Sequence, residues 1–133
     1  MTINVEPPRL YPTLRYRNAV NMIDWLGEAF GFAVHARYGE GDIVHHAELT
    51  FGSSMITARD DKFGQMIGAP GPGGGRSIYV AVDDADAAYA RAKKAGAEIL
   101  EELTDRDYGS REFICRDPEG NVWSFGTYWP KAT

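Results

Sequence analysis

The 133-residue chain has a single cysteine, Cys115, so no internal disulfide framework holds it together. It lacks an excess of positive charge: 14 Lys and Arg against 19 Asp and Glu give a net charge of −5. Nucleic-acid binding depends on basic side chains neutralising phosphates, so that partner class is not expected. No apolar run approaches the roughly 20 residues that a membrane helix needs, so no membrane partner is expected either. Residues 1–8 are polar and contain proline, without the apolar stretch of a secretory leader, and a cytoplasmic location is expected. Histidine is scarce too, with three in the chain. What remains is an ordinary globular composition, 44% hydrophobic and 25% charged, long enough for one domain with a real core.

Within that length the sequence repeats itself. Residues 10–59 and 76–128 each read as a strand, a polar cap, a short amphipathic helix, a glycine and three further strands. The helix-ending glycines, Gly31 and Gly96, set an offset of about 65 residues, longer than a solenoid period. The plan is therefore a duplicated module. Asn18 is a candidate N-cap for the first helix, whose Ala19, Val20, Ile23, Leu26, Ala29 and Phe30 recur at helical spacing. Asp83 or Asp84 caps the second, with Ala85, Ala88, Tyr89, Ala92 and Ala95 as its stripe. Strands are expected at 11–16, 32–38, 43–51, 54–59, 77–82, 97–102, 111–116 and 122–128, with a loop at 103–110. Asp117-Pro118-Glu119-Gly120-Asn121 is a hairpin turn, proline and glycine standing where turn geometry wants them. Residues 60–75 hold Gly-Ala-Pro-Gly-Pro-Gly-Gly-Gly and read as a linker. A phosphate cradle would need a strand before it, a helix after it and a Lys-Ser/Thr pair, and these are missing.

The duplicated βαβββ unit, together with Tyr108-Gly109-Ser110-Arg111 and Arg116-Asp117-Pro118-Glu119-Gly120-Asn121-Val122-Trp123-Ser124-Phe125, resembles the vicinal oxygen chelate superfamily. That group contains glyoxalase I, bleomycin-resistance proteins, fosfomycin-resistance proteins and extradiol dioxygenases. Ala29-Phe30-Gly31-Phe32 and the Val82-Asp83-Asp84 entry to the second helix add to the likeness. The resemblance covers nearly the whole chain. It implies a single α+β domain over residues 1–133, two tandem βαβββ modules forming a cupped, eight-stranded mixed sheet, and usually a homodimer.

Members with metal chemistry carry ligands in the first and last strand of each module. The matching positions here are Tyr11 and Thr57, then Ser77 and Ser124, all hydroxyls. Catalytic divalent ions favour His, Asp, Glu or Cys ligands. The adjacent His45 and His46 point to opposite faces of a regular strand and cannot share an ion. No metal and no cofactor are therefore expected. The pattern is closest to the bleomycin-resistance-like branch, which binds a drug without chemistry. That implies an antibiotic-resistance type of role, sequestering an aromatic antibiotic or natural product. The alternative is a metal-dependent lyase, isomerase or dioxygenase with displaced ligands. A third reading is a metal-free enzyme using His46 or Cys115.

Strand alternation extends the matched positions into a cleft lining. Tyr11 brings Thr13 and Arg15 with it. Ser77 brings Tyr79. Thr57 brings Met55 and Arg59. Ser124 brings Val122 and Gly126, which sends Trp123 and Phe125 to the helix side. Arg111, Phe113 and Cys115 share a face, assigned to the cleft because the opposite face carries Glu112 and Arg116. His46 stands two residues from Glu48 on one face, either as a general base with its carboxylate partner or as a solvated edge pair. Tyr128 and Trp129 reach a partner subunit or cover the cleft mouth. The expected ligand-binding set is Tyr11, Thr13, Arg15, His46, Met55, Thr57, Ser77, Tyr79, Arg111, Phe113, Cys115, Ser124 and Tyr128. Its aromatics and hydroxyls suit a planar ligand. They equally suit a cup filled by its own side chains.

Overall fold

The computed structural model describes residues 6–60 and 77–130. The segment read as a linker lies almost wholly outside the described residues. Among these described residues, eight strands and two helices follow in the order β1 (Thr13–Tyr16), α1 (Ala19–Phe30), β2 (Ala33–Glu40), β3 (Ile43–Phe51), β4 (Ser54–Asp60), β5 (Ser77–Ala81), α2 (Ala85–Lys94), β6 (Glu98–Asp105), β7 (Arg111–Arg116) and β8 (Val122–Gly126). This is the duplicated βαβββ plan, an α+β fold with eight strands in two four-stranded mixed sheets, ordered β1-β4-β3-β2 and β5-β8-β7-β6. In each sheet the first strand of the module pairs parallel to the last, and the other pairs are antiparallel. The chain divides into two compact units, the second of which also takes in Glu28–Phe30.

In the first unit, α1 begins where the Asn18 side chain accepts a hydrogen bond from Asn21 N, and it ends at Gly31 in the left-handed region, φ 89°. Ala19, Met22, Ile23 and Leu26 are buried along one stripe. Leu14 and Tyr16 of β1, Val44, Ala47 and Leu49 of β3 and Ile56 and Ala58 of β4 complete this core. Asp60 is the buried polar tie. Its two carboxylate oxygens accept from Ala19 N at 3.0 Å and Val44 N at 2.6 Å, fixing the start of α1 against β3 and β4.

In the second unit, Asp84 caps α2 by accepting from Ala87 N at 3.0 Å. Trp123 and Phe125 of β8, Phe113 and Cys115 of β7 and Ala85 and Ala92 of α2 are buried. Phe113 stacks on Phe125 with ring centroids 5.0 Å apart, and Phe30 lies against Phe125 and Trp123 at 4.8 and 5.0 Å. The turn after β7 is built on Asp117. Its Oδ1 accepts from Glu119 N and Asn121 N, and its Oδ2 accepts from the Trp123 indole at 3.1 Å.

Several boundaries differ from the sequence expectation. Tyr11 and Pro12 precede β1 instead of opening it, and β8 ends at Gly126, before Tyr128. β6 runs on to Asp105 through residues read as loop, because Thr104 and Asp105 pair with Glu112 and Arg111. The register of β3 against β2 jumps from His46 to Val44, leaving His45 as an extra residue. Such a bulge breaks the alternation, so neither His45 nor His46 points into the core between the buried Val44 and Ala47.

Candidate functional site

Each sheet has one face in the core and one outer face, and the outer faces carry the polar chemistry. In the first unit, Thr13 of β1 pairs with Thr57 of β4, and Arg15 pairs with Arg59. These four alternate with the buried Leu14, Tyr16, Ala58 and Asp60, so they share the outer face with Met55. Thr57 Oγ1 donates to Thr13 Oγ1 at 2.7 Å. Glu48 of β3 stands opposite Thr57. His46 Nε2 is 2.9 Å from Glu48 Oε2, and its ring lies 6.1 Å from that of Tyr38 in a near-parallel stack.

In the second unit, Tyr79 of β5 pairs with Ser124 of β8, and Ser124 with Ile114 of β7. Glu112 stands opposite Gly126. The turn after β6, closed by Arg106 N to Ser110 O at 2.7 Å, returns Arg106, Tyr108 and Ser110 over Glu112. Glu112 Oε1 accepts from Tyr108 Oη at 2.8 Å and from Arg106 Nε at 3.2 Å, while Arg106 also pairs with Glu101. Tyr79 Oη donates to the Tyr128 carbonyl at 2.7 Å. Ser110 Oγ accepts from Tyr128 N at 3.1 Å. Burial alone would raise the Glu112 carboxyl. Donation from Tyr108, Ser110 and Arg106, with the Arg106 charge, outweighs burial and holds it below the usual carboxylate range. Glu112 is therefore a carboxylate at neutral pH although it is 7% exposed. Burial raises the Tyr79 phenol, against hydrogen bonds from Ser110 and the Tyr128 backbone, and the nearby Glu112 charge adds to the rise. Tyr108 is raised by its bond to Glu112. All these phenols stay protonated as donors.

The sequence-expected residues fall into three groups. Thr13, Arg15, His46, Met55 and Thr57 share the first unit's outer face, while Tyr11 lies exposed before β1. Ser77, Tyr79 and Ser124 share the second unit's outer face, with Tyr128 hydrogen-bonded to Tyr79 and Ser110. The third group corrects the expectation. Phe113 and Cys115 are both 0% exposed in the core, not on a cleft wall. Arg111, on their side of β7, binds Asp86 of α2 at 3.1 Å and Asp105 at 3.0 Å. The face once set aside, with Glu112 and Ile114, is the outer one. Burial of the Cys115 thiol, with the Asp117 charge, pushes it up to about 12, so it is no nucleophile.

Sequence reasoning passed over Glu112, Arg106 and Ser110. The available signal was a lone Glu between two aromatic-flanked positions, Tyr108 and Phe113, in a strand whose other face was apolar. The positions matched to a metal site carry neutral hydroxyls, with Thr57 already donating to Thr13. Among the described residues, no three His, Cys, Asp or Glu side chains group so as to hold an ion. The hydroxyls described at these positions are poor ligands for a catalytic divalent metal.

Residues 10–125 match the sequence model of the Glyoxalase/Bleomycin resistance protein/Dioxygenase superfamily. The chain belongs to this superfamily. An uncharacterized protein of Mycobacterium bovis is 35% identical over 133 residues, covering 95% of this chain and 86% of that protein. A putative glyoxylase, CFP32, of Mycobacterium tuberculosis is 35% identical over 72 residues, 53% of this chain and 28% of that protein. Among solved structures, TioX from Micromonospora sp. ML1 superposes with a TM-score of 0.73 at 29% identity, covering 90% of this chain and 99% of that one. A glyoxalase/bleomycin resistance protein/dioxygenase family enzyme from Burkholderia phytofirmans PsJN gives 0.68 at 21% identity, covering 87% and 94%, and shares the superfamily fold.

Proposed function

We propose that the protein is a metal-independent small-molecule binder of this superfamily that holds an aromatic, hydrogen-bonding ligand, such as an antibiotic or natural product, without transforming it. The observation that carries this reading is the second unit's outer face. Tyr79, Tyr108 and Tyr128 are each at least partly exposed there, around an ionised Glu112. Tyrosines offer flat area for stacking at little conformational cost, and the Glu112 carboxylate beneath them fixes Tyr108 by accepting from its hydroxyl. Hydroxyls at the four matched positions leave no means of chelating two substrate oxygens. A homodimer and a cytoplasmic, resistance-type role belong to the same proposal.

The test is a thermal-shift screen of aromatic antibiotics, repeated with a chelator. The expected result is a ligand that raises the melting temperature equally with and without chelator, and whose affinity falls about tenfold in Tyr108→Ala, near the 1.4 kcal/mol of one good contact. Binding or turnover that appears only on adding a divalent ion would favour the metal-dependent lyase, isomerase or dioxygenase instead. A second reading has its own observation, the 2.9 Å His46–Glu48 pair. In a metal-free acid–base enzyme, His46→Ala would abolish turnover and leave ligand binding intact.

A further inference from the structure

Tyr89 of α2 shows how this chain holds an ammonium group against a phenol. Its hydroxyl donates to the Glu102 carboxylate. Lys93 Nζ donates in turn to the same phenol oxygen at 3.5 Å and stands 5.4 Å from the ring centroid. A phenol that donates to a carboxylate gains electron density on its oxygen and ring, and both then attract a cation. Tyr108 repeats the first half of this arrangement, its hydroxyl donating to Glu112 Oε1 at 2.8 Å. The second half has no counterpart, for no cationic side chain of the described residues lies over the Tyr108 ring.

The surroundings leave negative charge at Tyr108. Arg106 is shared between Glu101 and Glu112, one guanidinium against two carboxylates. Asp107, beside Tyr108 in the turn, is exposed and has no ion pair among the described residues. The ring is within reach of a ligand, since Tyr108 is 56% and Tyr128 50% exposed. Their planes stand at 84° with centroids 6.1 Å apart, so the two rings form a corner. Glu112 lies beneath at 7% exposure, and a ligand meets its charge through the Tyr108 phenol instead of touching the carboxylate.

We infer that the Tyr108–Tyr128 corner seats an organic cation, so that the aromatic ligand of the proposed function carries a protonated amine. The ammonium group donates an N–H to Tyr108 Oη, as Lys93 does to Tyr89, while the ligand's ring packs on Tyr128. Tyr108 Oη gives its proton to Glu112, so toward a ligand it accepts, and the charge behind it favours an ammonium donor over a neutral one and repels a carboxylate. The inference rests on the binder reading and deepens it by fixing the charge of the ligand.

The experiment is a titration of the full-length, 15N-labelled protein with phenethylamine, phenethyl alcohol and phenylacetate, one ring carrying a positive, a neutral and a negative group. The backbone amides of Tyr108 and Tyr128 are followed at neutral pH. The expected result is a saturating shift of both amides, with the amine bound about fivefold more tightly than the alcohol and the carboxylate most weakly. In Tyr108→Phe, which keeps the ring and loses the acceptor, the amine should fall to the affinity of the alcohol. Equal affinity for amine and alcohol in the wild type would overturn the cation seat and leave the aromatic-binder reading standing. Tightest binding of phenylacetate, or an undiminished preference for the amine in Tyr108→Phe, would overturn the seat as well. No saturation with any of the three would also overturn it, and the thermal-shift screen would still decide the binder reading on its own. Should Tyr108→Phe fail to fold, the three wild-type titrations decide alone.

Discussion

A methyl group on Gly126 would sit 2.6 Å from Tyr79 Oη and 2.7 Å from Glu112 Cγ. The absence of a side chain there is what lets the phenol and the carboxylate approach across β8. Gly126→Ala should therefore push Tyr79 off the Tyr128 carbonyl and cost about 1–3 kcal/mol by overpacking. Urea unfolding would measure the loss, and wild-type stability in the alanine variant would disprove the close approach. Cys115 makes a second residue-level prediction, of reactivity and of pH. Its folded pKa of about 12 lies above the ordinary 9.0, so folding favours the neutral thiol. The stability this contributes is fully present below about pH 9, where neither state has ionised. It is lost as pH rises through the window between 9 and 12, because the unfolded thiol ionises first. Native protein at pH 8 should resist iodoacetamide, and denatured protein should react stoichiometrically. In Cys115→Ala, the fall in stability between pH 9 and 12 should be shallower than in the wild type.

At the scale of elements, the turn between β7 and β8 hangs on one side chain, Asp117, which accepts from two backbone N–H groups and the Trp123 indole. Asp117→Asn would face an amide N–H₂ toward either the Trp123 indole N–H or the two backbone donors, leaving at least one donor unmatched. A cost of about 1–3 kcal/mol is expected. Trp123, 0% exposed in the native protein, should report it as red-shifted fluorescence at a lower urea concentration. The turn itself was legible from Asp117-Pro118-Glu119-Gly120-Asn121, because proline, glycine and a short acid each have a local backbone reason to be there. Both helices were legible for the same kind of reason. Asn18, Asp84 and Gly31 act within one turn of their own position. What escaped depends on partners distant in sequence. The bulge at His45 is fixed by β2, and the extension of β6 to Asp105 by pairing with Arg111. The pattern of β7 points the wrong way, because Phe113 and Cys115 resemble an apolar cleft wall. The apolar wall belonged to the core, and the acidic face was masked by Tyr108 and Arg106 from a turn that had read as plain loop. Thr13, Thr57, Tyr79 and Ser124 could be placed on one face of their strands because the superfamily resemblance anchors Thr57, Ser77 and Ser124 and alternation carries the placement along each strand.

On the scale of the whole molecule, duplication has kept the scaffold while the chemistry of the two halves has diverged. Thr57 and Ser124 occupy corresponding last-strand positions, and each is paired with its module's first strand, at Thr13 and Tyr79. One step further along, the first unit has Arg59 and the second has Gly126. The first unit thereby has at this position an arginine whose Nε has no hydrogen-bond partner among the described residues, the second an opening for Glu112. Neither half has retained a set of anionic or imidazole ligands among the described residues. Four neutral hydroxyls cannot offset the hydration that a divalent ion gives up, whereas three His or carboxylate ligands can. The protein purified without a metal-binding tag or chelator should therefore carry far less than one equivalent of zinc, nickel, manganese or iron per chain by elemental analysis. Its melting temperature should not move on adding EDTA or excess Zn²⁺, because an ion that does not bind the native state adds nothing to stability. One tightly held ion per chain, with a melting temperature that falls on chelation, would refute the metal-free reading. It would also direct the search for substrates toward molecules that present two vicinal oxygens.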